Sequence, residues 1–334
     1  MFITLIFLTF LTGLWFLINR WSRPQKGRLA VVNDQACLEA SDEITVTIWN
    51  IGFAALGAKA DLFVDGGQNM RALSQRDIRT AADAIADQLA ALQSDVMLLQ
   101  EDARVSFMTR GVDVHGVIAA RLKQYAWCFW ADFRTFLMVK PFKIEHGVST
   151  FSKLKPSTTI ALSTPQDPLY YYGFLKKYYG GVIQRYPRSG QGDWVVVNIH
   201  LSAFDDTARQ NQLATLLAYA QNEYRAGNHV VIGGDWNMRL LPAVFPHRGC
   251  KDDLFKVYDF PHDMLPAGWM VGADDDTASL RSLNKPYVKG CNFTTIVDGF
   301  MISPNVKITT LKTHDLEFEH TDHHPVTAGF TIIE

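Results

Sequence analysis

The apolar positions of this 334-residue chain fall into three kinds of spacing, and each predicts a different element. Residues 2–18, FITLIFLTFLTGLWFLI, are 17 positions without a charged side chain. As a helix they would reach about 25 Å, near the lower limit for crossing a bilayer. Trp15 and Trp21 stand where interfacial aromatics belong, and Arg20, Arg23, Lys26 and Arg28 follow at once. Helical spacing returns in Gln75–Leu92, in residues 114–122 and in Asp206–Arg225. Alternating or continuous runs rich in β-branched residues predict strands: EITVTIWNIG (43–52), DVMLLQ (95–100), WVVVNI (194–199), HVVIGG (229–234) and PVTAGFTII (325–333). TTIVDGFMIS (294–303) and VKITTLKT (306–313) read as a strand pair. The stretch 125–183 is strand-like, aromatic and broken by turns.

Strands alternate with helices through the first two-thirds and dominate the remainder. That order favours a layered α/β (α+β) sandwich with mixed sheets, and no linker divides residues 43–334. The expected organisation is an apolar helix with a basic flank (1–28), a linker (29–42) and one large domain (43–334). A cleaved signal peptide needs a positive leader and a small-residue cleavage site, and neither stands out here. The reading is a single-span cell-membrane anchor; a buried N-terminal helix or an uncleaved leader is the alternative. Positive charges after the span put the large domain in the cytoplasm, whereas an export-type leader would put it outside.

Charge and cysteines alter this picture only slightly. Residues 1–28 hold four of the 32 basic residues and none of the 34 acidic ones, which leaves the rest of the chain at −6. No Lys/Arg-rich block occurs beyond the flank, which argues against a phosphate-tracking surface. Cys37, Cys128, Cys250 and Cys291 are scattered without a C-x-x-C pair, so a structural zinc site is not expected.

Chemistry gathers where strands end. Asn50 follows TVTIW, Glu101 follows VMLLQ, Asn198 and His200 close VVVNIH, and Asp235 and Asn237 follow VVIGG. HTDHHPV (320–326) adds three histidines and an acid. Singly, each has a bland explanation: a cap, a solvated face, a turn. Together they supply hard oxygen ligands suited to Mg²⁺, or to Mn²⁺, beside imidazoles that titrate near neutral pH. Such groups converge on the crevice at the strand ends of α/β sheets.

Six pieces in order, WN at Asn50, LQE at Glu101, NIHL at 198–201, GGDWN at 233–237, VDGFMIS around Asp298 and TDHHP at 321–325, resemble the endonuclease/exonuclease/phosphatase superfamily. The resemblance implies a four-layered sandwich of two packed mixed sheets flanked by helices. It implies metal-dependent phosphoester hydrolysis, with Glu101 and Asn50 binding Mg²⁺ and Asp322 beside the metal. Asp235 would activate the attacking water and Asn237 position it. His200 would donate to a phosphate oxygen, and Asp298 would hold His323 in one tautomer. Asn198 belongs to the substrate side. Either Asp235 or His323 would be the formal base. Alternation along the last motif turns His323 and His324 to opposite sides, leaving His324 in the variable place, and His320 reads as loop surface or a substrate-side contact.

The resemblance does not choose a substrate. The N-x-H at 198–200 is similar to the sphingomyelinase, inositol-phosphatase and deoxyribonuclease branches. The apolar helix and the −6 balance favour a phospholipid or sphingolipid headgroup over a long polyanion. LYYYGFLKKYYGGVIQRY (169–186) reads as an interfacial segment, as a hairpin whose aromatics fill the core, or as a base-stacking platform. A metal-dependent nuclease is the alternative, and a silent binding module the third reading. Nothing in the pattern points to a protein partner.

Overall fold

A computed structural model of the chain describes residues 2–34, 37–72, 74–135, 142–170, 175–248 and 257–333. Residues 171–174 of the aromatic run, and Cys250, lie outside the described residues. Helix α1 spans Phe2–Trp21. Strand β1 is Gly27–Arg28, β2 Glu43–Asn50, β3 Val96–Ala103, β4 Ala126–Arg134, β5 Glu145–Ser152, β6 Thr158–Ser163, β7 Gly180–Tyr186, β8 Trp194–His200 and β9 His229–Asp235. Strands β10 (Met270–Gly272), β11 (Asp298–Ile302), β12 (Val306–Thr313) and β13 (Val326–Ile332) complete the sheets. Helices α2 (Gln75–Leu92), α3 (Val114–Arg121) and α4 (Asp206–Arg225) cover them.

One sheet runs β1-β6-β7-β8-β9-β11-β10 and the other β12-β13-β2-β3-β5-β4. Each contains one parallel pair, β8 with β9 and β2 with β3, so both sheets are mixed. Between them lies an apolar layer in which Ile44, Val46, Ile48 and Leu98 of one sheet meet Val196, Val231, Phe300 and Ile302 of the other. Helices α2 and α3 bury Ile78, Ile85, Leu89 and Ile118 against Met97 and Leu99. Helix α4 buries Leu213, Leu216 and Leu217 against Val195, Val197 and Ile199. The result is the expected four-layered sandwich. Ser74 and Asp205 cap α2 and α4 by accepting from the Asp77 and Ala208 amides, which fixes where both helices start.

One pairing differs from expectation. Strands β11 and β12 are not partners: β11 pairs with β9 and β10, and β12 pairs with β13 in the opposite sheet. Alternation marks both as strands but cannot say which sheet each joins. Phe300 and Ile302 reach the inter-sheet layer only if β11 lies beside β9.

Helix α1 is long and apolar enough to span a membrane, and most side chains from Thr4 to Trp21 are exposed. The residues after it are fastened to the sandwich. Trp130 Nε1 donates to the Gln25 carbonyl at 2.8 Å, β1 pairs with β6, and Val32, Leu38 and Ala40 form isolated bridges to Trp127, Leu154 and Arg188. Within residues 29–42, Leu29 and Ala40 are buried.

Candidate active site

Side chains on a strand alternate between faces, and one face of each central strand points between the sheets. In the lower rows that face is apolar: Val46 and Ile48, Val196, Val231, Phe300 and Ile302. In the last row it turns polar. Asn50, His200, Asp235 and Asp298 continue the same alternation at one end of the sandwich. The parallel register puts His200 beside Asp235, and the antiparallel register of β11 puts Asp298 opposite Asp235. Because Val326 pairs with Ile48, the TDHHP segment descends beside Asn50.

Glu101 breaks the alternation. By parity it would follow Leu99 toward the helices. A β-bulge between Leu99 and Asp102 inserts one residue, and Glu101 takes φ +51°. Asp102 anchors the bulge: its Oδ2 accepts from His115 Nδ1 and Ser149 Oγ, both at 2.6 Å. Glu101 is thereby re-aimed into the same space as Asp235.

Glycine makes the close approach possible. A Cβ on Gly233 would stand 2.8 Å from Ile48 Cγ2, and one on Gly234, at φ +148°, would stand 2.1 Å from the Ile199 carbonyl oxygen. GGDWN is therefore a site of tight packing within β9 and not only a turn. Gly52 does the same for the loop after β2. With φ +49°, it leaves room for Asp322, whose Oδ1 a Cβ would meet at 2.8 Å.

Asn50, Glu101, His200, Asp235, Asn237, Asp322 and His323 line one cavity of about 870 Å³. Asp298 stands behind His323 and orients it, with His323 Nδ1 donating to Asp298 Oδ2 at 2.8 Å. The far nitrogen, Nε2, lies 3.8 Å from Asp235 Oδ2. Burial alone would lower the His323 pKa, but the charge and hydrogen bond of Asp298, with Asp235 and Asp322, lift it to about 10. His323 is thus an imidazolium at neutral pH. His200 is the opposite case: burial, then the charges of Lys177 and His323, hold it well below the usual histidine range. Its Nε2 lies 3.6 Å from Asp235 Oδ2. Asp235 is held by Asn50 Nδ2 at 2.9 Å and by the Asn237 amide at 2.9 Å. Asn237 Nδ2 donates to the Leu201 carbonyl.

The donor set fits a hard divalent cation. Burial lifts the carboxyl of Glu101 to about 7, against the lowering charge of Lys177. Burial also raises Asp235 and Asp322. Buried carboxylates held this close are costly to keep ionised without added positive charge. Asp235, Asp298 and His323 each offer a ligand atom within 4.8 Å of the others, though His323 Nδ1 is already committed to Asp298. Glu101 and Asp322 line the same cavity and offer oxygens of the kind that Mg²⁺ and Mn²⁺ take. Asn50 is used partly as a brace, since its Oδ1 accepts from the Gly52 amide and its Nδ2 donates to Asp235.

Asn198, expected on the substrate side, does not line the cavity. It sits two residues deeper than His200 on the same face, fully buried between the sheets. Its Nδ2 donates to the Ser149 carbonyl at 2.8 Å and its Oδ1 accepts from Gln100 Nε2 at 2.7 Å. It ties one sheet to the other. His324 is likewise absorbed by structure, with Nδ1 donating to the Ala278 carbonyl and the ring stacked on Phe318 at 3.8 Å. His320 lies near Glu319.

Lys177, Tyr179 and Arg281 on the cavity wall lie outside the six family pieces. Lys177 is buried, with Nζ 3.4 Å from Glu101 Oε1. Tyr179 sets its ring edge-on to His200, with centroids 5.6 Å apart. Buried Arg281 donates to the carbonyls of Leu56 and Gly57 and props the loop that follows β2. The aromatic–basic run therefore has a divided fate. Tyr179 and Tyr186 are buried and Tyr170 is exposed at the cavity mouth. Among the described residues of the run, Gly180–Tyr186 forms a strand, and it pairs with β6 and β8.

The family model described as Endonuclease/Exonuclease/phosphatase family matches residues 48–315. The chain belongs to the endonuclease/exonuclease/phosphatase family. Members of this family are metal-dependent phosphoesterases, nucleases and phosphatases among them. The fold agrees with solved structures at low identity. A family protein from Beutenbergia cavernae DSM 12333 has a TM-score of 0.59 at 17% identity, covering 87% of this chain and 72% of that one. One from Bacteroides vulgatus has a TM-score of 0.57 at 13% identity, covering 87% and 99%. TDP2 from D. rerio, solved with a single strand DNA product, has a TM-score of 0.56 at 13% identity, covering 87% and 100%. No curated protein matches the chain.

Proposed function

We propose that this endonuclease/exonuclease/phosphatase protein is a membrane-tethered, Mg²⁺-dependent phosphoesterase whose substrate is a phospholipid or sphingolipid headgroup. One observation carries the substrate class. Among the described residues lining the cavity, Lys177 and Arg281 are the only Lys or Arg side chains and both are buried, while Phe63, Val64, Met70 and Phe204 are exposed. A nucleic-acid strand needs a basic track beyond the scissile phosphate. A headgroup joined to acyl chains does not.

Glu101 and Asp322, with Asn50 and Asp235 beside them, would hold the cation. When bound, it offsets charge on the phosphoryl group. Asp235 takes the proton from the attacking water, because His323 is already protonated and so cannot act as the base. Asn237 positions that water with its amide oxygen. His200, kept neutral, donates from Nε2 to a phosphoryl oxygen. The His323 imidazolium, held by Asp298, stabilises the negative charge that develops. Helix α1 tethers the chain to the cell membrane, with the catalytic domain on the cytoplasmic side as the charges after the span favour.

A second reading, a nuclease, rests on the likeness to TDP2 solved with a DNA product. A substrate panel separates the two. Purified full-length chain in detergent, with Mg²⁺ or EDTA, is offered sphingomyelin, phosphoinositides and plasmid DNA. Mg²⁺-dependent turnover of a lipid supports the proposal. Plasmid nicking without lipid turnover would replace it with the nuclease.

A further inference from the structure

The mouth of the cavity carries an unusual surface. Phe63, Val64 and Met70 are 64%, 58% and 51% exposed, and Phe204, Tyr258 and Tyr170 are 48%, 44% and 40% exposed. All six line the cavity, and they come from four separate stretches of chain. Isolated apolar side chains on a surface need no explanation, but a ring of them around one opening marks a place where something apolar lands.

The position of α1 says what lands there. The Trp15 ring lies 5.9 Å from the ring of Tyr170, one of the six. Ile18 packs with Phe133, Ile144 and Leu175, and Phe133 is itself a cavity-wall residue. Arg134 donates to the Arg23 carbonyl at 2.9 Å, which closes the junction. The helix therefore leaves the domain from the same side as the mouth, and its exposed apolar length cannot rest in water. Arg20 and Arg23 follow its interfacial turn, where cations meet anionic headgroups. Leu38, 62% exposed, bridges Leu154 beyond the end of β5, away from the cavity.

We propose that the rim of the cavity is a membrane-docking ring. Phe63, Val64, Met70, Phe204, Tyr258 and Tyr170 seat in the headgroup layer of the bilayer that α1 enters. The opening then faces the membrane, and a phosphoester in that leaflet reaches Asp235 and Glu101 without crossing water. This rests on the reading of α1 as a membrane anchor and adds an orientation that an anchor alone does not require.

The test uses full-length chain reconstituted in phosphatidylcholine–phosphatidylglycerol vesicles. An environment-sensitive fluorophore is attached through a genetically encoded handle at Val64, Phe204, Leu38 or Phe10, one position at a time. Blue-shifted emission, quenched by a lipid-phase quencher, is expected at positions 64, 204 and 10 and not at 38. Quenching at 10 alone would overturn the docking ring and leave the anchor standing. No quenching at any position would overturn both. Shielding of 64 and 204 that needs no vesicles and grows with protein concentration would assign the ring to a second copy and overturn the proposal. As a second arm, Val64→Ser with Phe204→Ser should lower turnover of a vesicle-borne phospholipid about 10-fold or more. Turnover of soluble bis-nitrophenyl phosphate should stay unchanged. Equal losses on both substrates would contradict the ring.

Discussion

At the floor of the cavity key side chains are held by others. Asn50 holds Asp235, Asp298 holds His323, and Asp102 with His115 holds the bulge that turns Glu101 inward. At the rim, Phe63 and Val64 stand in a one-turn 3-10 helix and Phe204 in a loop, all exposed. The floor is polar, buried and drawn from both sheets; the rim is apolar and drawn from connections. Chemistry that must be positioned to a fraction of an ångström is placed on strand ends. Selection of what enters is left to loops, which accept change without disturbing the sheets. That contrast explains how a chain with 13–17% identity to solved relatives keeps their fold while its substrate stays open.

The contrast predicts a graded response. Asp235→Ala removes the group that receives the proton from water, and Mg²⁺-dependent diester hydrolysis should fall by about 10³-fold or more. Circular dichroism should show the fold retained. Asp298→Asn keeps the shape but removes the charge that makes His323 an imidazolium, and the rate should fall about 10²-fold. The optimum should also shift: His323 titrates near 10 in the wild type, and in the variant the alkaline limb should move to lower pH. A pH–rate profile measures both.

Asn198→Ala separates structure from chemistry. Losing a buried tie between the sheets should cost about 2–3 kcal/mol in denaturant unfolding. The rate per folded molecule should change little, since Asn198 does not reach the cavity. A large loss of rate at unchanged stability would place Asn198 on the substrate side after all.

The smallest expected effect is a linkage. Burial raises Glu101 to about 7 in the folded chain. A raised carboxyl contributes stability below its unfolded pKa, and that contribution is lost as pH climbs through about 7. Bound Mg²⁺ relieves the loss, so the Mg²⁺-induced rise in Tm should be a few degrees larger at about pH 8 than at about pH 5.5. A rise independent of pH would remove Glu101 from the metal site.

Much of the floor was legible because polar residues interrupt an apolar period at strand ends. Asn50 and Asp298 each close a face without another polar residue, Asp235 follows Val231 and Gly233, and His200 closes the face that it shares with Asn198. Glu101 was legible by motif but not by parity, since the bulge that re-aims it has no local signature. Asn198 misled because it shares the face of His200: the same alternation that takes His200 to the cavity leaves Asn198 two residues deeper, between the sheets. Lys177 and Tyr179 sat inside the aromatic–basic run, where spacing alone does not separate a buried pair from the exposed Tyr170. Arg281 stood in no motif, because its guanidinium serves loop carbonyls that only the tertiary fold brings near. Strand periodicity predicted β11 and β12 and could not assign them to sheets, because pairing depends on the whole layer order.

The central claim is that this floor hydrolyses phosphoesters with a divalent cation. Its most direct test is hydrolysis of bis-nitrophenyl phosphate by full-length wild type and Asp235→Ala, each with Mg²⁺ and with EDTA. Wild type with Mg²⁺ should release nitrophenol, and the other three samples should stay near background. Equal rates in wild type and Asp235→Ala, or a wild-type rate indifferent to EDTA, would contradict it.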